Sequence, residues 1–373
     1  MPDDVPAGWP PGFGDGDGER RALLVLSTLR GITPRNLHAL AWRAGSAAAA
    51  LAIIRRGGAG SRADHEHAVR TEPDQVLDAA AAAGARFVVP GDGEYPRALL
   101  RLADPPAALF LRGGRLDRRE VRVAVVGSRR CSASGREIAH DLGRRLAGAG
   151  LCVVSGAAFG IDAASHHGAL AAAGRTVAVL GSGIDRAYPR SSAELIDRIA
   201  AAGTLVSEYA PGVPAEPHRF PARNRIVTGL SSALVVVEGA HGSGSRISVD
   251  HALDIGLEVF AVPGPVTSPL AEVPLELIRD GATMIRGADD LLADLEVDVP
   301  ADPVEPPVHL SGDERRAWAA LAEPSPPDVV ARGADLSIPQ AVSALIRLEL
   351  RGLVRSVGGR YERTLAGARR ESV

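Results

Sequence analysis

The feature that most constrains the fold is a series of six short apolar runs between residues 121 and 262. The runs read VRVAVV, LCVVS, RTVAVL, GTLVS, ALVVV and EVFAV; each reaches Gly, Ser or Pro within two residues of its end, and stretches with helical spacing separate most of them. Short strands alternating with helices predict an α/β protein with a doubly wound, mainly parallel sheet. Because ligands of such sheets bind beyond the carboxyl ends of the strands, the loops that follow these runs are the candidate sites.

The segments outside these runs differ in composition. The first nineteen residues are acidic and rich in Pro and Gly, and residues 297–310 are Pro-rich without periodicity, so both predict unstructured chain. Apolar residues at helical spacing precede and follow the sheet region, and the last helices lead to GGRYER, which is typical of a hairpin wing. The expected divisions are a disordered tail (1–19), a helical domain (20–75), the sheet core (76–296), a linker (297–310), a winged-helix domain (311–365) and a tail (366–373).

Composition excludes several classes of protein. With 46% hydrophobic and 23% charged residues the chain is typical of globular proteins. No apolar run approaches the roughly 18 residues of a membrane span, and the start lacks the apolar core of a signal peptide. Cys131 and Cys152 form no zinc-binding spacing, so we expect a cytoplasmic protein without structural zinc or disulfides. A formal net charge of −3 restricts any nucleic-acid site to a local patch.

The 42 residues counted as Lys or Arg are all arginine, because the sequence contains no lysine. A P-loop, which needs a lysine on the phosphates, is therefore excluded. The segment FPARNRIVTGL, residues 220–230, places Phe220, Arg223, Asn224 and Arg225 at the start of a predicted apolar helix. A ring can stack on a base and guanidinium groups can hold phosphates, so this cluster favours a nucleic-acid site.

Three loops that follow predicted strands combine small residues with the start of a helix. Their candidate residues are Gly127, Ser128 and Arg129, then Ser155, Gly156 and Gly160, and then Ser243, Gly244 and Ser245. Small side chains let the backbone approach an anion, and the first turn of a helix offers free N–H groups. Glycine after a strand is most often only a turn, but three such loops on one sheet edge favour an anion-binding groove.

The motifs of common enzymes are missing from the sequence. It contains no HExxH, no GxSxG and no acidic pair at useful spacing, and the glycines at 181–183 do not complete a GxGxxG fingerprint. Asp162, Glu208 and Glu238 lie near predicted strand or helix ends, where capping is a more frequent role than catalysis. We therefore expect no catalytic residue, no metal site and no cofactor.

The chain resembles the DNA-processing protein A (DprA/Smf) family in a collinear series of segments from about residue 94 to 285. The segments are EYP…DPPAALFLRG, VAVVGSRR, SGAAFGIDAASHHGAL, TVAVLGSGIDRAYP, SEYAPG, FPARNRIVTGLS, VVVEGAHGSGS and VFAVPG. The helical unit before them, of the helix-hairpin-helix or SAM-like kind, and the C-terminal winged helix also agree with the architecture of that family.

The resemblance implies an extended Rossmann-like fold that binds single-stranded DNA, often as a homodimer, and loads the recombinase RecA during recombination and natural transformation. Carried over to this sequence, the DNA site comprises all the loop residues named above together with Phe220, Arg223, Asn224, Arg225 and, more weakly, Arg175. The chain departs from the family pattern at GSRISV, residues 244–249, and at EVPLELI, residues 272–278. These departures concern the shape of the third loop.

An enzyme of the phosphoribohydrolase type is the alternative, because such enzymes share the sheet and its glycine loops. Those enzymes carry PGGxGTxxE with a catalytic glutamate, whereas this chain has HGSGSRISVD in the equivalent loop. A third possibility is an adaptor whose winged helix binds duplex DNA or a protein partner. The third helix of that domain contains only Arg347 and Arg351 as basic residues, which favours a partner or packing role at least as much as DNA binding.

Overall fold

The computed structural model describes residues 8–117, 119–297 and 310–364. The chain separates into two compact units, Met1–Asp298 and Val299–Val373, and each is described by itself. The linker predicted at 297–310 lies almost wholly outside the described residues, and the tail predicted at 366–373 lies entirely outside them.

Nine strands form a single sheet in the described part of the first unit. They are β1 (Ala85–Val88), β2 (Leu109–Gly113), β3 (Arg122–Val126), β4 (Cys152–Ser155), β5 (Thr176–Leu180), β6 (Thr204–Ser207), β7 (Ala233–Val236), β8 (Glu258–Ala261) and β9 (Thr283–Met284). Their order is β1-β2-β6-β5-β4-β3-β7-β8-β9. The pairs β1–β2 and β2–β6 are antiparallel, and every neighbouring pair in that order from β6 to β9 is parallel. The six predicted runs are β3 to β8, so the doubly wound, mainly parallel sheet is confirmed.

Helices cover both faces of this sheet because its strands are apolar on both faces. The helices after β3 are α6 (Ala133–Gly148), α7 (Ile161–Ala171), α8 (Ala193–Ala202), α9 (Arg219–Gly229), α10 (Gly244–Asp254), α11 (Glu272–Arg279) and α12 (Ala288–Asp294). Along β3, Val123 and Val125 pack on one side with α6 and α7, whereas Ala124 and Val126 pack on the other with α9 and α10. This alternation is the two-residue period of a strand, and it leaves only the strand ends free for a ligand.

Five helices precede the sheet and rest on its antiparallel edge. They are α1 (Gly16–Leu26), α2 (Pro34–Ala44), α3 (Ala47–Arg55), α4 (Arg62–Arg70) and α5 (Pro73–Ala82). Among the described residues no single helix has the length and hydropathy of a membrane span; α2 and α3 reach them only together, and they meet at an angle of 105°.

The predicted disordered tail is wrong for residues 8–19, while residues 1–7 lie outside the described chain. The ring of Trp9 stacks on that of Phe13 at 4.1 Å, and Phe13 is buried with the core of α1 to α3. His38 on α2 hydrogen-bonds to the carbonyl of Gly8 at 2.5 Å. Two aromatic rings therefore hold a segment whose Pro/Gly-rich composition predicts disorder.

The second unit is a winged helix. It contains α13 (Gly312–Ala319), α14 (Pro327–Gly333), α15 (Ile338–Leu350) and an antiparallel wing of β10 (Val354–Val357) and β11 (Arg360–Arg363). Its core packs Trp318 against Leu345 and Leu348 of α15. Three helices followed by a wing confirm the winged helix predicted from the sequence.

His166 on α7 is a fully buried imidazole whose charged form the fold disfavours. Its Nδ1 hydrogen-bonds to the hydroxyl of Thr176 at 2.7 Å. Burial lowers the pKa of His166 to about 3, and the charges of His167 and Arg223 add to the effect. This pKa lies below the ordinary value of 6.5, so the folded state resists a protonation that the unfolded state accepts. The free energy of unfolding is therefore unaffected by this group above pH 6.5, and it declines as the pH falls from 6.5 towards 3.

Below pH 6.5 the wild type should lose unfolding free energy as the pH falls. We expect His166→Gln to reduce that loss by up to about 1.4 kcal/mol per pH unit. Urea unfolding at several pH values between about 5 and 7.5 measures the slope. His241→Gln, which replaces an exposed histidine, is the matched control and keeps the wild-type slope. An unchanged slope in His166→Gln contradicts the prediction.

Candidate nucleic-acid interface

The candidate groove lies where the order of the strands reverses. From β3 the chain builds β4, β5 and β6 on one side and then returns to place β7 on the other side of β3. The loops after β3 and β7 therefore diverge at a switch point, where open α/β sheets bind their ligands. The N–H of Ser128 donates to the carbonyl of Glu238 at 2.8 Å and holds the two loops together.

The loop after β3 presents Arg129 to solvent. A Cβ on Gly127 would lie 2.7 Å from Ile161 and 2.8 Å from the carbonyl of Glu238, so this close approach requires glycine. The side chain of Arg129 is exposed, and its guanidinium lies 5.2 Å from the ring centroid of Phe220. Arg129 has no ion pair with any residue that the structure describes. The sequence prediction that Arg129 contacts a phosphate remains a proposal with a suitable geometry.

Glu238 supports this loop and does not face the groove as a free carboxylate. Its oxygens accept from the N–H of Ser132 at 2.9 Å and from the hydroxyl of Ser132 at 2.6 Å. Ser132 in turn caps α6 by accepting from the N–H of Gly135 at 2.9 Å. This is the capping role that sequence reasoning favoured over that of a general base.

The loop after β4 presents backbone and one ring. Ser155 is fully buried and donates to the carbonyl of Val125 at 2.7 Å, so its hydroxyl is committed to the interior. Gly160 has a φ of 78° and lies against the backbone of Ser128, where any Cβ would overlap. The side chain of Phe159 between them is half-exposed. Of the predicted site residues in this loop, the glycines therefore lie at the groove and Ser155 lies beneath it.

The loop after β7 forms the start of α10. Ser243 is the N-cap residue, Gly244 begins the helix and is exposed, and the hydroxyls of Ser243 and Ser245 hydrogen-bond to each other. Nothing lies within 4 Å of a Cβ built on Gly244, so the first turn is open to a ligand. The amide of Asn224 donates to the carbonyl of Gly244 at 3.2 Å. Asn224 thus joins α9 to the anion-binding end of α10.

Arg225 has a structural role, which corrects the prediction that it contacts a phosphate. Its guanidinium is buried, donates to both oxygens of Glu208 at 2.8 and 2.9 Å, and lies 3.2 Å from a carboxylate oxygen of Asp104. Burial alone disfavours its charge, but the carboxylates of Glu208 and Asp104 outweigh that effect and raise the pKa of Arg225. The guanidinium is thus enclosed by protein partners and kept away from a DNA phosphate, and Glu208 is likewise held as its ion-pair partner.

Arg223 is also buried, because it extends beneath the loop after β4. It donates to the carbonyl of Val179, and its guanidinium lies 3.8 Å from the carboxylate of Asp162. A Cβ on Gly156 would overlap this guanidinium, so Gly156 is needed for the loop to pass over it. Burial lowers the pKa of Arg223, and Asp162 opposes that shift. The predicted direct phosphate contact of Arg223 is corrected to a position under the floor of the groove.

Arg175 lies at the opposite edge of the sheet. It precedes β5, so it is at the amino end of the strands, where it pairs with Glu120 at 2.7 Å and donates to the carbonyl of Arg115 at 2.6 Å. It does not belong to the groove. Among the described residues, no group of three His, Cys, Asp or Glu side chains is arranged to hold a metal ion.

The structure adds residues that the sequence prediction omitted. The loop after β5 carries Arg186, Tyr188 and Arg190, all exposed, and the ring centroid of Tyr188 lies 5.1 Å from that of Phe220. The signal that would have found them is the same one that found the other loops, namely glycines directly after a strand.

The chain is a Rossmann-like protein with a winged-helix domain, and amide donors, an exposed arginine and aromatic rings lie together at its switch point. Residues 86–296 match the model of DNA recombination-mediator protein A, and residues 299–360 match that of the DprA winged helix domain. The chain therefore belongs to the DNA recombination-mediator protein A family, DprA/Smf, whose members are DNA-processing recombination mediators.

Relatives and solved structures agree with this assignment. Protein Smf of Escherichia coli is 38% identical over 287 residues, 74% of this chain and 77% of that protein. A putative DNA processing protein DprA of Mycobacterium tuberculosis is 37% identical over 341 residues, 84% of this chain and 87% of that protein. The X-ray structure of DprA from Streptococcus pneumoniae has a TM-score of 0.63 at 31% identity, covering 74% of this chain and 97% of that one.

A second solved structure, DNA processing protein A from Helicobacter pylori, was described for its single-stranded DNA binding mode. It matches with a TM-score of 0.52 at 27% identity, over 58% of this chain and 99% of that one.

The roles of Arg225 and Arg129 are separable by mutation. We expect Arg225→Ala to lower the free energy of unfolding by about 3–5 kcal/mol, because it leaves Glu208 buried without its partner. Arg129→Ala, the control at an exposed arginine, should change stability by no more than about 0.5 kcal/mol. Denaturant unfolding measures both. Wild-type stability in Arg225→Ala contradicts the structural role.

Proposed function

We propose that this groove binds single-stranded DNA and that the protein delivers the strand to a RecA-type recombinase. The observation that carries the proposal is the contact of exposed Arg129 with the ring of Phe220, beside the open first turn of α10. A cation and helix N–H groups suit phosphates, and a ring suits an unpaired base. The family supports this function, and the recombinase is inferred from the family resemblance alone.

A single strand fits this groove better than a duplex. Phe220 is partly buried between Arg129 and Tyr188, so only a base that is free to leave its stack can reach it. The net charge of −3 gives no general attraction to duplex DNA, so the groove must supply the affinity. We assign the phosphate contacts to Arg129 and Arg130, both exposed, and to the first turn of α10.

We propose a binding protein and not an enzyme. The two glutamates that sequence reasoning considered as bases are both engaged, Glu238 with Ser132 and Glu208 with Arg225. The phosphoribohydrolase alternative needs a free glutamate beside the glycine loop, and the described residues of this groove offer none. A cytoplasmic location and a homodimer follow from the resemblance and are part of the proposal.

The winged helix receives no DNA-binding role in this proposal. Arg347 of α15 and Arg351, the C-cap residue of that helix, lie 3.2 and 3.5 Å from carboxylate oxygens of Glu314. The basic residues of this helix are thus balanced by an acidic group of the same domain. This arrangement favours a packing or protein-contact role over binding in a duplex groove.

The salt dependence of binding tests the proposal. Three or four phosphate contacts predict a slope of log K against log salt of roughly −2 to −3 on single strands, and Arg129→Ala should reduce its magnitude by about 0.7. Fluorescence anisotropy of a labelled oligonucleotide at several salt concentrations gives the slope. Arg175→Ala, at the other edge of the sheet, is the matched control and keeps the wild-type slope. A wild-type slope near zero would sink the proposed function.

A further inference from the structure

In the described residues, the exposed aromatic rings lie in loops at the carboxyl ends of the sheet strands. Among the aromatic residues, only Phe159 and Tyr188 are exposed in the described chain, with relative accessibilities of 50% and 51%. Both follow the carboxyl ends of adjacent parallel strands, Phe159 after β4 and Tyr188 after β5. Leaving a large ring half in water is unfavourable relative to burying it, so two such rings beside the proposed groove point to a ligand with flat apolar faces.

The rings are continuous with the groove. The ring centroid of Tyr188 lies 5.1 Å from that of Phe220 with an interplanar angle of 36°, and Phe220 lies 5.2 Å below the guanidinium of Arg129. The loop that carries Phe159 is fixed to the loop of Arg129, because the N–H of Ile161 donates to the carbonyl of Ser128 at 3.2 Å. A row of aromatic surface therefore runs from the end of β5 towards the end of β3.

The loop of Tyr188 is held in place by hydrogen bonds at several points. The N–H of Gly183 donates to the carbonyl of Val213 at 2.8 Å, the hydroxyl of Ser182 donates to the carbonyl of Arg186 at 2.7 Å, and Asp185 accepts from the N–H of Gly212 at 2.8 Å. A ring exposed on a fixed loop loses little conformational entropy when a base stacks on it. Exposed Arg186 and Arg190 flank this ring and add positive charge.

We propose that Tyr188 and Phe159, together with Phe220, form a base-stacking row over β4 and β5, while the phosphates lie over β3 and β7. This inference rests on the proposed function and deepens it, because it assigns bases and phosphates of the single strand to different halves of the groove. The aromatic row supplies affinity that is independent of salt, and the loops after β3 and β7 supply the salt-dependent part.

Oligonucleotides with and without bases separate the two halves. We expect Tyr188→Ala and Phe159→Ala each to weaken binding of a normal oligonucleotide about 5- to 100-fold, with the salt slope unchanged. On an abasic oligonucleotide of the same length, both variants should bind as wild type does. Tyr188→Phe is the matched control and retains affinity within about twofold, because stacking needs the ring and not the hydroxyl.

Two results overturn the assignment of Tyr188 and Phe159. One is wild-type affinity of both alanine variants for the normal oligonucleotide, and the other is an equal loss on normal and abasic strands, which would mean that the loops only maintain the shape of the groove. Either result leaves the proposed function standing if wild type still binds with the Arg129-dependent salt slope. Absence of binding by wild type overturns the proposed function and this assignment together.

Discussion

The buried charge of Arg225 is the constraint on which the groove depends. A guanidinium in the interior is tolerated only when carboxylates surround it in good geometry, and here Glu208 at the end of β6 and Asp104 before β2 meet that need. The same two contacts fix α9 against the strand ends. Because Phe220 and Asn224 lie on the first turns of α9, this ion pair determines where the ring and the amide enter the groove. The functional residues of α9 are therefore positioned by an arginine that is itself out of reach of the ligand.

Arg223 extends this principle to the electrostatics of the site. Its charge lies beneath the loop after β4, separated from the groove by Gly156 and balanced by Asp162 at 3.8 Å. The guanidinium and the backbone amides above it are fixed by the fold, so neither has to reorganise when a ligand binds. The groove thus combines a fixed ion pair below its floor with the exposed guanidinium of Arg129 above it. The formal net charge of the chain is −3, so the proposed anion site depends on such local groups.

The sheet, its loops and the winged helix were predictable from local patterns, because strand period, closing glycines and helix starts are properties of neighbouring residues. The burial of Arg223 and Arg225 was not, since the carboxylates that hold Arg225 lie 17 residues away at Glu208 and 121 residues away at Asp104. An Arg-x-Arg sequence at a helix start resembles an exposed phosphate clamp unless those partners are known. The ordered segment after Gly8 was missed for a related reason, since Phe13 is buried and Trp9 partly buried against a core that α1, α2 and α3 form together.

The loop after β5 shows what a glycine pattern does and does not specify. The glycines at 181–183 fail as a dinucleotide fingerprint, and for that reason the sequence prediction left this loop out of the site. In the structure a Cβ on Gly181 would lie 3.0 Å from the ring of Phe220, so this glycine makes room for an approaching side chain and not for a pyrophosphate. A glycine after a strand therefore indicates close approach without naming the group that approaches. Here that group is the ring of Phe220, which lies between Tyr188 and Arg129. The loop after β5 therefore joins the loops after β3, β4 and β7 as the fourth loop of the proposed groove.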